Sequence, residues 1–521
     1  MLSFMKKHPF LVVIIVAVAL RILAAIFSQG YMAHDDHFET VRIAWAWQHE
    51  GIFLDDGTLR WEGKPEIGVL RSVVYNLSLL GIMKITSAFG VEHLDVHMYF
   101  DRLIHVLLSL LPVIFGYRYL KEETDTETAL AGGLILGAHF FMPFFAARNL
   151  VEMVSADLLL PALYYAHRSM KRGSDIDACV AALFGGLAFM IRMHVGLALI
   201  FVPFAMVIQN RRWRQAAIFS TAMLVVVALQ GVLDVYTHGE FLGSVSNYII
   251  GNMSQPPTIP GPWYKYILVL FGIMIPPFAI LFVGSIFMKR VIRNHLILWS
   301  SLILFVAGHS AVVNKQERFV IPIFPVLIVL GCVGLYYLYK SGGWYFRWRG
   351  LRLALWGWFI VLNIILVIPF TFNYAHRGAV DPMVYLSRQD DVDGVLFDCS
   401  ARKKWLPYDY WDYRKPNSVK LTPTYSINEA IVRGDLSADS PPSYVVVFTD
   451  GYPTDQIAHY SELLGRYELV HHGRPSLMDL ILHRLNPKYN HKNESWVLRL
   501  IDDAPYSRLI QQLFPFHFST I

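Results

Sequence analysis

Two adjacent carboxylates, Asp35 and Asp36, follow the first long apolar run of the chain, Phe10–Phe27. Two histidines, His34 and His37, flank them directly. A carboxylate beside a substrate hydroxyl can take its proton as a general base. A solvated polar loop would show the same composition. The choice between these two interpretations depends on which other polar residues reach the same side of the membrane.

The composition predicts a polytopic helical membrane protein. Of the 521 residues, 55% are hydrophobic and only 16% are charged, whereas a soluble protein carries about 25% charged residues. The net charge of +5 is small, and no nucleic-acid motif is present. About eleven apolar runs can cross a bilayer: Phe10–Phe27, Leu103–Tyr119, Ala129–Ala147, Val151–Ala166, Ala178–Ile191, Gly196–Ile208, Ala216–Leu233, Tyr266–Phe287, Leu296–Ala307, Phe319–Tyr339 and Leu353–Phe370.

The basic residues predict the orientation of these spans. Lys6 and Lys7 place the N-terminus in the cytoplasm by the positive-inside rule. The later basic clusters, at 168–172, 211–214, 289–293 and 340–352, fall on that side only if the amphipathic stretch Val73–Phe89 lies in the membrane interface. The loop that holds Asp35 is then extracytoplasmic, and so is the tail from Asn373 onward.

The same orientation brings a second polar set to the extracytoplasmic face. Ionisable groups at membrane depth are costly, and they usually mark a site. Carboxylates mixed with many cations suit acid–base chemistry on a substrate that carries phosphate. The members of this set are Arg71, Arg148, Glu152, Arg192, His194, Asp234, Asn252, Lys315, Glu317 and Arg318.

Each member of this set also has a purely structural explanation. Arg148 and Arg192 can end their spans by extending toward water. Asp234 can be an ordinary loop acid, and His194 a hydrogen-bonded histidine between two short helices. The argument for a site therefore rests on the convergence of the whole set on one face.

The tail differs in composition from the rest of the chain. Apolar runs shorten after Asn373, while charged residues and prolines become more frequent. Short apolar runs around Val395 and Val445 predict buried strands, and Ser426–Val432 and Thr454–Tyr467 predict helices. We therefore expect a transmembrane module over 1–372, with a first extracytoplasmic loop at 29–101, and a small extracytoplasmic α/β domain over 373–521.

Several segments resemble the motifs of glycosyltransferase family 22, whose members have the GT-C fold. Asn314–Phe319, followed by two prolines within Ile321–Pro325, is similar to the HKExRF…PxxP signature of that family. Asn314 and Gln316 replace the histidine and a glutamate of the signature, while Lys315, Arg318 and Phe319 match it. Asp35–Glu39 resembles the acidic motif of the first loop. Further similarities lie at Gly68–Ser72, Arg148–Glu152, Asp234–Tyr236 and Gly261–Tyr264, and His376–Met383 resembles a stretch of the third GPI mannosyltransferases.

This resemblance implies a fold and a reaction. The fold is a transmembrane GT-C bundle with an extracytoplasmic α/β domain. The reaction transfers a sugar, mannose in this family, from a polyprenyl-phosphate donor to a hydroxyl of a lipid-linked glycan, with inversion at the anomeric carbon. The partners implied are membrane lipid, the donor lipid and the glycan acceptor. Neither a metal nor another cofactor is expected.

The resemblance also suggests roles for individual residues. Asp35 aligns with the first acidic position of the family and is the expected base, with Asp36 as the alternative. Lys315, Arg318 and Arg192 are the expected ligands of the donor phosphate. The expected substrate-binding residues are His34, His37, Arg71, Arg148, Glu152, His194, Asp234 and Glu317.

Two competing functions are a transporter or lipid flippase and a membrane scaffold with a degenerate site. A transporter can also hold charges in broken helices, as at Arg192–His194, but it should show an internal repeat, and we find none. The changes at Asn314 and Gln316 favour the scaffold. The compact loops favour a bacterial plasma membrane with the site facing outward, and the endoplasmic reticulum with a lumenal site is the alternative.

Overall fold

The computed structural model describes residues 7–60, 72–254, 259–401, 404–412, 417–437 and 439–502, without the side chains of 35, 36, 252–254 and 502. The described chain is mainly helical and divides into two compact units. The first unit comprises residues 1–28, 39–89 and 99–372, and the second comprises 29–38, 90–98 and 373–521.

The first unit is built of helices. The α-helices that begin before Asn210 are Pro9–Phe27, His34–Glu50, Val74–Ala88, Leu94–Leu108, Leu110–Glu123, Thr126–Ala138, Phe141–Ala146, Val151–Arg172, Asp175–Ile191, Gly196–Leu199 and Val202–Asn210. The later ones are Trp213–His238, Gly243–Ser254, Lys265–Ile273, Phe278–Ser285, Lys289–Asn294, Leu296–Ala311, Phe324–Lys340, Trp344–Arg347 and Arg349–Thr371. Short 3₁₀-helices cover Met193–Val195 and Glu317–Ile323.

All eleven predicted runs are helical. Six helical stretches among the described residues are long and apolar enough to cross a membrane: Pro9–Phe27, Leu94–Glu123, Met193–Asn210, Trp213–His238, Glu317–Lys340 and Arg349–Thr371. The pair Lys265–Ile273 and Phe278–Ser285, bent by 115°, makes a seventh if it counts as one broken span. The remaining predicted runs form shorter or more polar helices. The chain is thus an integral membrane protein.

Two helices form the core of this unit. Val151–Arg172 is buried along almost its whole length, and so is Phe324–Lys340. A helix that is covered on every side lies at the centre of a bundle. Because Val151–Arg172 is central, the acidic residue of its first turn, Glu152, is fully buried.

Val74–Ala88 is a 15-residue helix with one buried face that includes Tyr75, Asn76 and Leu79. This arrangement has the amphipathic character predicted for Val73–Phe89. Helices also occupy much of the segment 29–101 that was expected to be a loop, because His34–Glu50 and the start of Leu94–Leu108 fall within it.

The second unit contains a five-stranded sheet. Its strands are β1 Val395–Asp398, β2 Ser418–Leu421, β3 Tyr444–Val447, β4 Arg466–Gly473 and β5 Ser495–Asp502, in the order β2-β1-β3-β5-β4. β1 is parallel to β2 and β3, whereas β5 is antiparallel to β3 and β4. The helices of this unit are Arg377–Leu386, Ile427–Arg433, Thr454–Leu463 and Leu477–Leu485.

The predicted elements of the tail are present, with one wrong boundary. The helix expected over Thr454–Tyr467 ends at Leu463, and Tyr467 lies in β4 instead. Burial explains the difference, because Tyr467 packs with Leu464 and Leu498 in the core of the sheet. A helix continued to Tyr467 would remove a strand that pairs with β5.

Candidate functional site

The predicted site residues fall in both units. Arg148, Glu152, Arg192, His194, Asp234, Lys315, Glu317 and Arg318 lie in the transmembrane unit, and His34 and His37 lie in the second unit. Arg71 and the side chains of Asp35, Asp36 and Asn252 are outside the described residues.

Two arginines share one buried carboxylate in the transmembrane unit. Arg192 Nη2 donates to Glu152 Oε1 at 2.8 Å, and Arg318 Nε lies 3.5 Å from the same oxygen. The Glu152 side chain is 0% exposed, and those of Arg192 and Arg318 are 7% and 14% exposed. The ring of Phe319 lies against both guanidinium groups. The three charges sum to +1, so this cluster can accept an anion such as a phosphate.

Two histidine rings adjoin this cluster. His194 packs edge-on against His309 with ring centroids 4.7 Å apart, and its ring also meets Phe319 at 5.8 Å. Within the described chain, Nε2 of His194 makes no hydrogen bond although it is buried. His309 was not predicted, because a histidine inside an apolar run gives no signal of its own.

Lys315 is 1% exposed, and its ammonium group caps a helix. Nζ donates to the carbonyls of Ser310 at 2.8 Å, of His309 at 3.4 Å and of Val312, at the end of helix Leu296–Ala311. A cation at this end complements the helix dipole. Burial lowers the pKa of Lys315, and the neighbouring Lys265 lowers it further.

Hydrogen bonds to the backbone of Ile259 hold the signature segment in place. Ile259 N donates to Asn314 Oδ1 at 3.1 Å, and Lys315 N donates to Ile259 O at 2.8 Å. The amide of Asn314 thus takes a structural role at the position of the family histidine. Glu317 is 63% exposed and pairs with Lys265 at 2.6 Å.

Two other predicted residues make interior contacts. The Arg148 guanidinium donates to Ser28 O and, at 3.0 Å, to Ser28 Oγ at the end of the first span. Asp234 accepts from Gln230 Nε2 at 2.6 Å and from the backbone N and Oγ of Ser244. Both contacts fix the positions of helices, so a direct contact of Arg148 or Asp234 with substrate stays a prediction.

A buried polar network, which the sequence analysis missed, lies next to Arg148. His105 Nδ1 donates to Arg148 O at 2.9 Å, while its Nε2 lies 3.5 Å from Asp101 Oδ1 and 3.2 Å from Tyr75 OH. Tyr75 OH also donates to Asn149 Oδ1. The i, i+4 spacing of Asp101 and His105 could have indicated this network. However, the segment lies where a polar stretch meets a predicted apolar span, so its polar residues were not singled out.

An apolar groove of about 550 Å³ opens in the same unit. Its walls come from both arms of the bent pair and from helix Leu296–Ala311, and they include Leu270, Gly284 and Val306. The groove reaches Ser310, whose carbonyl accepts from Lys315. Its lining is almost entirely apolar.

In the second unit, aromatic side chains surround the start of helix His34–Glu50. The ring of Tyr31 stacks on His376 with centroids 4.5 Å apart and also contacts His34 and His37. His34 Nε2 donates to Leu406 O at 3.3 Å, and burial raises the pKa of Tyr31. The backbone of Asp35 and Asp36 forms the first turn of this helix.

The sequence profile of the Alg9-like mannosyltransferase family matches residues 12–391, more than half of the chain. The chain belongs to this family. The match confirms the family suggested by the signature around Lys315 and Arg318.

Curated relatives of this Alg9-like chain carry related names. It is 23% identical over 384 residues to "GPI alpha-1,2-mannosyltransferase 3" of Mus musculus, covering 72% of this chain and 66% of the relative. It is 22% identical over 376 residues to the Homo sapiens protein of that name, covering 71% of this chain and 64% of the relative. The match thus spans somewhat less than two thirds of these relatives' length. "Mannosyltransferase APTG1" of Arabidopsis thaliana is 24% identical, over 82% of this chain and 83% of the relative.

Two solved structures share the fold of the Alg9-like chain. ArnT from Cupriavidus metallidurans, bound to undecaprenyl phosphate, gives a TM-score of 0.56 at 14% identity and covers 95% of this chain and 98% of its own. The archaeal oligosaccharyltransferase AglB from Archaeoglobus fulgidus is in complex with an inhibitory peptide and a dolichol-phosphate. It gives a TM-score of 0.53 at 11% identity and covers 85% of this chain and 70% of its own. These likenesses confirm the predicted GT-C fold. None of the relatives and solved structures named above favours the transporter or flippase alternative.

Proposed function

We propose that this chain is a membrane mannosyltransferase that uses a polyprenyl-phosphate mannose donor and a hydroxyl of a lipid-linked glycan as acceptor. The observation that carries the proposal is the buried cluster of Arg192 and Arg318 around Glu152. Family membership, together with the lipid phosphates named for ArnT and AglB, supports the lipid-linked donor.

The cationic cluster has a direct role in this chemistry. Negative charge grows on the donor phosphate as the bond to the anomeric carbon breaks, and cations at its oxygens lower the barrier. Arg318 and Arg192 are the proposed phosphate ligands. Lys315 contributes positive charge while its Nζ remains on the helix carbonyls. We propose that no metal or other cofactor takes part in the transfer step.

The acceptor hydroxyl must lose a proton as it attacks. Asp35 is the proposed base on the strength of the family motif, and Asp36 the proposed orienting group. A single displacement inverts the configuration of the anomeric carbon. The isoprenoid tail of the donor is proposed to lie in the apolar groove beside helix Leu296–Ala311.

The purified full chain in lipid vesicles tests this proposal with radiolabelled polyprenyl-phosphate mannose and a lipid-linked glycan acceptor. Asp35→Asn should lower kcat about 10²- to 10⁴-fold without a change in donor KM, because only the base is lost. Asp55→Asn is the matched control, since Asp55 is an exposed acid that also precedes a second aspartate.

Three outcomes would revise or overturn this proposal. A larger loss in Asp36→Asn than in Asp35→Asn exchanges the two roles. Transfer at the wild-type rate in both variants and in their double variant refutes the proposed base. Movement of the labelled donor between leaflets without any glycan product would identify a flippase.

We further propose that the site faces away from the cytoplasm, outward in a bacterial plasma membrane or lumenal in the endoplasmic reticulum. Cysteines introduced at the exposed positions Lys289 and Glu462 should react with an impermeant maleimide from opposite sides. The exposed Cys179 is first replaced by serine. Labelling of both positions from one side would refute this orientation.

A further inference from the structure

Three metal-ligating side chains meet at a place that the proposed reaction does not use. Glu123 ends helix Leu110–Glu123, His167 lies in the last two turns of Val151–Arg172, and His295 precedes Leu296–Ala311. One ligand atom from each lies within 4.8 Å of the others. Both histidines are buried. The residues are far apart in sequence, so no local motif could predict this group.

The buried ring of His167 has incomplete hydrogen bonding. Its Nε2 is 3.2 Å from Glu123 Oε1, and its ring stacks on that of His295 with centroids 5.7 Å apart. Nδ1 of His167 makes no hydrogen bond to any residue that the structure describes, and Nε2 has only its contact with Glu123. Buried polar atoms nearly always have a partner, so such an exception points to a bound water or ion.

The surroundings resemble a support for metal ligands. Tyr119 OH is 2.7 Å from His295 Nδ1, and Tyr337 OH is 3.0 Å from its Nε2. Both ring nitrogens of His295 therefore have a tyrosine partner, so one tyrosine must move aside when an ion binds, while the other would orient the imidazole ring as such contacts do in metal sites. Lys171 pairs with the second oxygen of Glu123, which leaves Oε1 directed toward His167.

We propose that Glu123, His167 and His295 bind a divalent transition-metal ion of the zinc class. Two imidazoles and one carboxylate form a known zinc ligand set, in which water completes a tetrahedron. Ligand atoms of such a tetrahedron lie about 3.4 Å apart, so the widest separation, at most 4.8 Å, must close by up to about 1.4 Å. The ion would join the ends of three helices.

The simpler alternative is a plain ion pair between Lys171 and Glu123. That pair accounts for the carboxylate but leaves Nδ1 of His167 without a hydrogen bond among the described residues, and Nε2 with only its 3.2 Å contact to Glu123. The Lys171 side chain is 40% exposed, so it can turn into solvent when a divalent ion binds. The positive-inside rule places this cluster at the cytoplasmic end of the bundle, because Lys171 and Arg172 belong to a basic cluster.

The test uses the tag-free full chain in detergent after treatment with a chelator. Co²⁺ alone should bind with one equivalent and give the visible absorption of a tetrahedral site, and Zn²⁺ should displace it and raise the melting temperature. His167→Gln and Glu123→Gln should weaken binding by at least about tenfold, since even changes to residues that only hydrogen-bond to metal ligands cost about 10- to 100-fold in affinity. His491→Gln is the matched control, because His491 is an exposed histidine that pairs with Asp450 at 3.1 Å.

The control should bind Co²⁺ as the wild type does. Absence of a stoichiometric site in the wild type would overturn the proposal, and so would unchanged affinity in Glu123→Gln. The glutamine at position 123 keeps the shape of the side chain and one hydrogen bond, so this variant preserves the test if His167→Gln does not fold. Mannosyl transfer is not the readout, so failure here leaves the proposed function untouched.

Discussion

Glu152→Gln tests whether the two buried arginines depend on one carboxylate. The substitution keeps the size of the side chain and removes its charge. Arg192 and Arg318 then face each other in a site where their side chains are only 7% and 14% exposed. A buried charge without its counter-ion is costly, so the folded state should lose stability.

The distances set the expected size of the effect. Ion pairs at 2.8 Å and 3.5 Å correspond to a gross attraction of about 5–6 kcal/mol each at an effective dielectric constant of about 20. The cost of removing these charges from water offsets much of that attraction. Removal of one partner from a buried pair typically costs about 3–5 kcal/mol, and we expect a loss in this range.

Thermal unfolding of the purified protein in one detergent measures the effect. Glu317→Gln is the control, because the Glu317 carboxylate is 63% exposed in its 2.6 Å pair with Lys265 and should contribute at most about 1 kcal/mol. The double variant Glu152→Gln/Arg192→Gln should recover part of the loss. Equal melting temperatures of Glu152→Gln and the wild type would refute this account, as would equal losses in Glu152→Gln and Glu317→Gln.

Three further predictions concern single residues. Arg318→Ala should raise the donor KM roughly 10- to 150-fold, as expected for one lost charge-assisted hydrogen bond, and an unchanged KM would make Arg318 purely structural. Lys315→Met should lower the melting temperature and leave the donor KM almost unchanged, because its Nζ caps helix carbonyls. A raised donor KM at an unchanged melting temperature would instead show direct phosphate binding. Burial lowers the pKa of His471 below 6.5, so the unfolded state holds its proton to higher pH and stability is lost as pH falls below about 6.5. His471→Gln should flatten the change in melting temperature between about pH 5 and 7, and an unaltered slope would contradict this reasoning.

Hydropathy predicted most of the bundle. Every predicted apolar run is helical, because helical hydrogen bonds form within a segment and need no distant partner. The amphipathic character of Val73–Phe89 was also predictable, because it depends only on the local pattern of polar and apolar residues. In the tail, the apolar runs at Val395 and Val445 predicted two central strands. The strands β2, β4 and β5 were missed, because their burial depends on neighbours in the sheet.

The contacts within the site could not be predicted so well. Sequence patterns placed Glu152, Arg192 and Arg318 on one face but did not show that one oxygen of Glu152 serves both arginines. The network of Asp101, His105 and Tyr75 joins segments distant in sequence, and polar partners in a bundle core follow no period. Lys315 was singled out for its charge, whereas its hydrogen bonds depend on where the preceding helix ends.

The length of the apolar groove can change through a single residue in its wall. Gly284 lines the groove, and a Cβ placed there meets no atom within 4 Å, so a larger residue can extend into the space without displacing a neighbour. Gly331, in contrast, packs directly on the ring of Phe282 and tolerates no side chain. A single substitution at Gly284 would therefore shorten the groove, and with it the lipid tail proposed to bind there, while the bundle keeps its packing. Lineages that make carrier lipids of different length could adapt such a protein by mutation at this position alone.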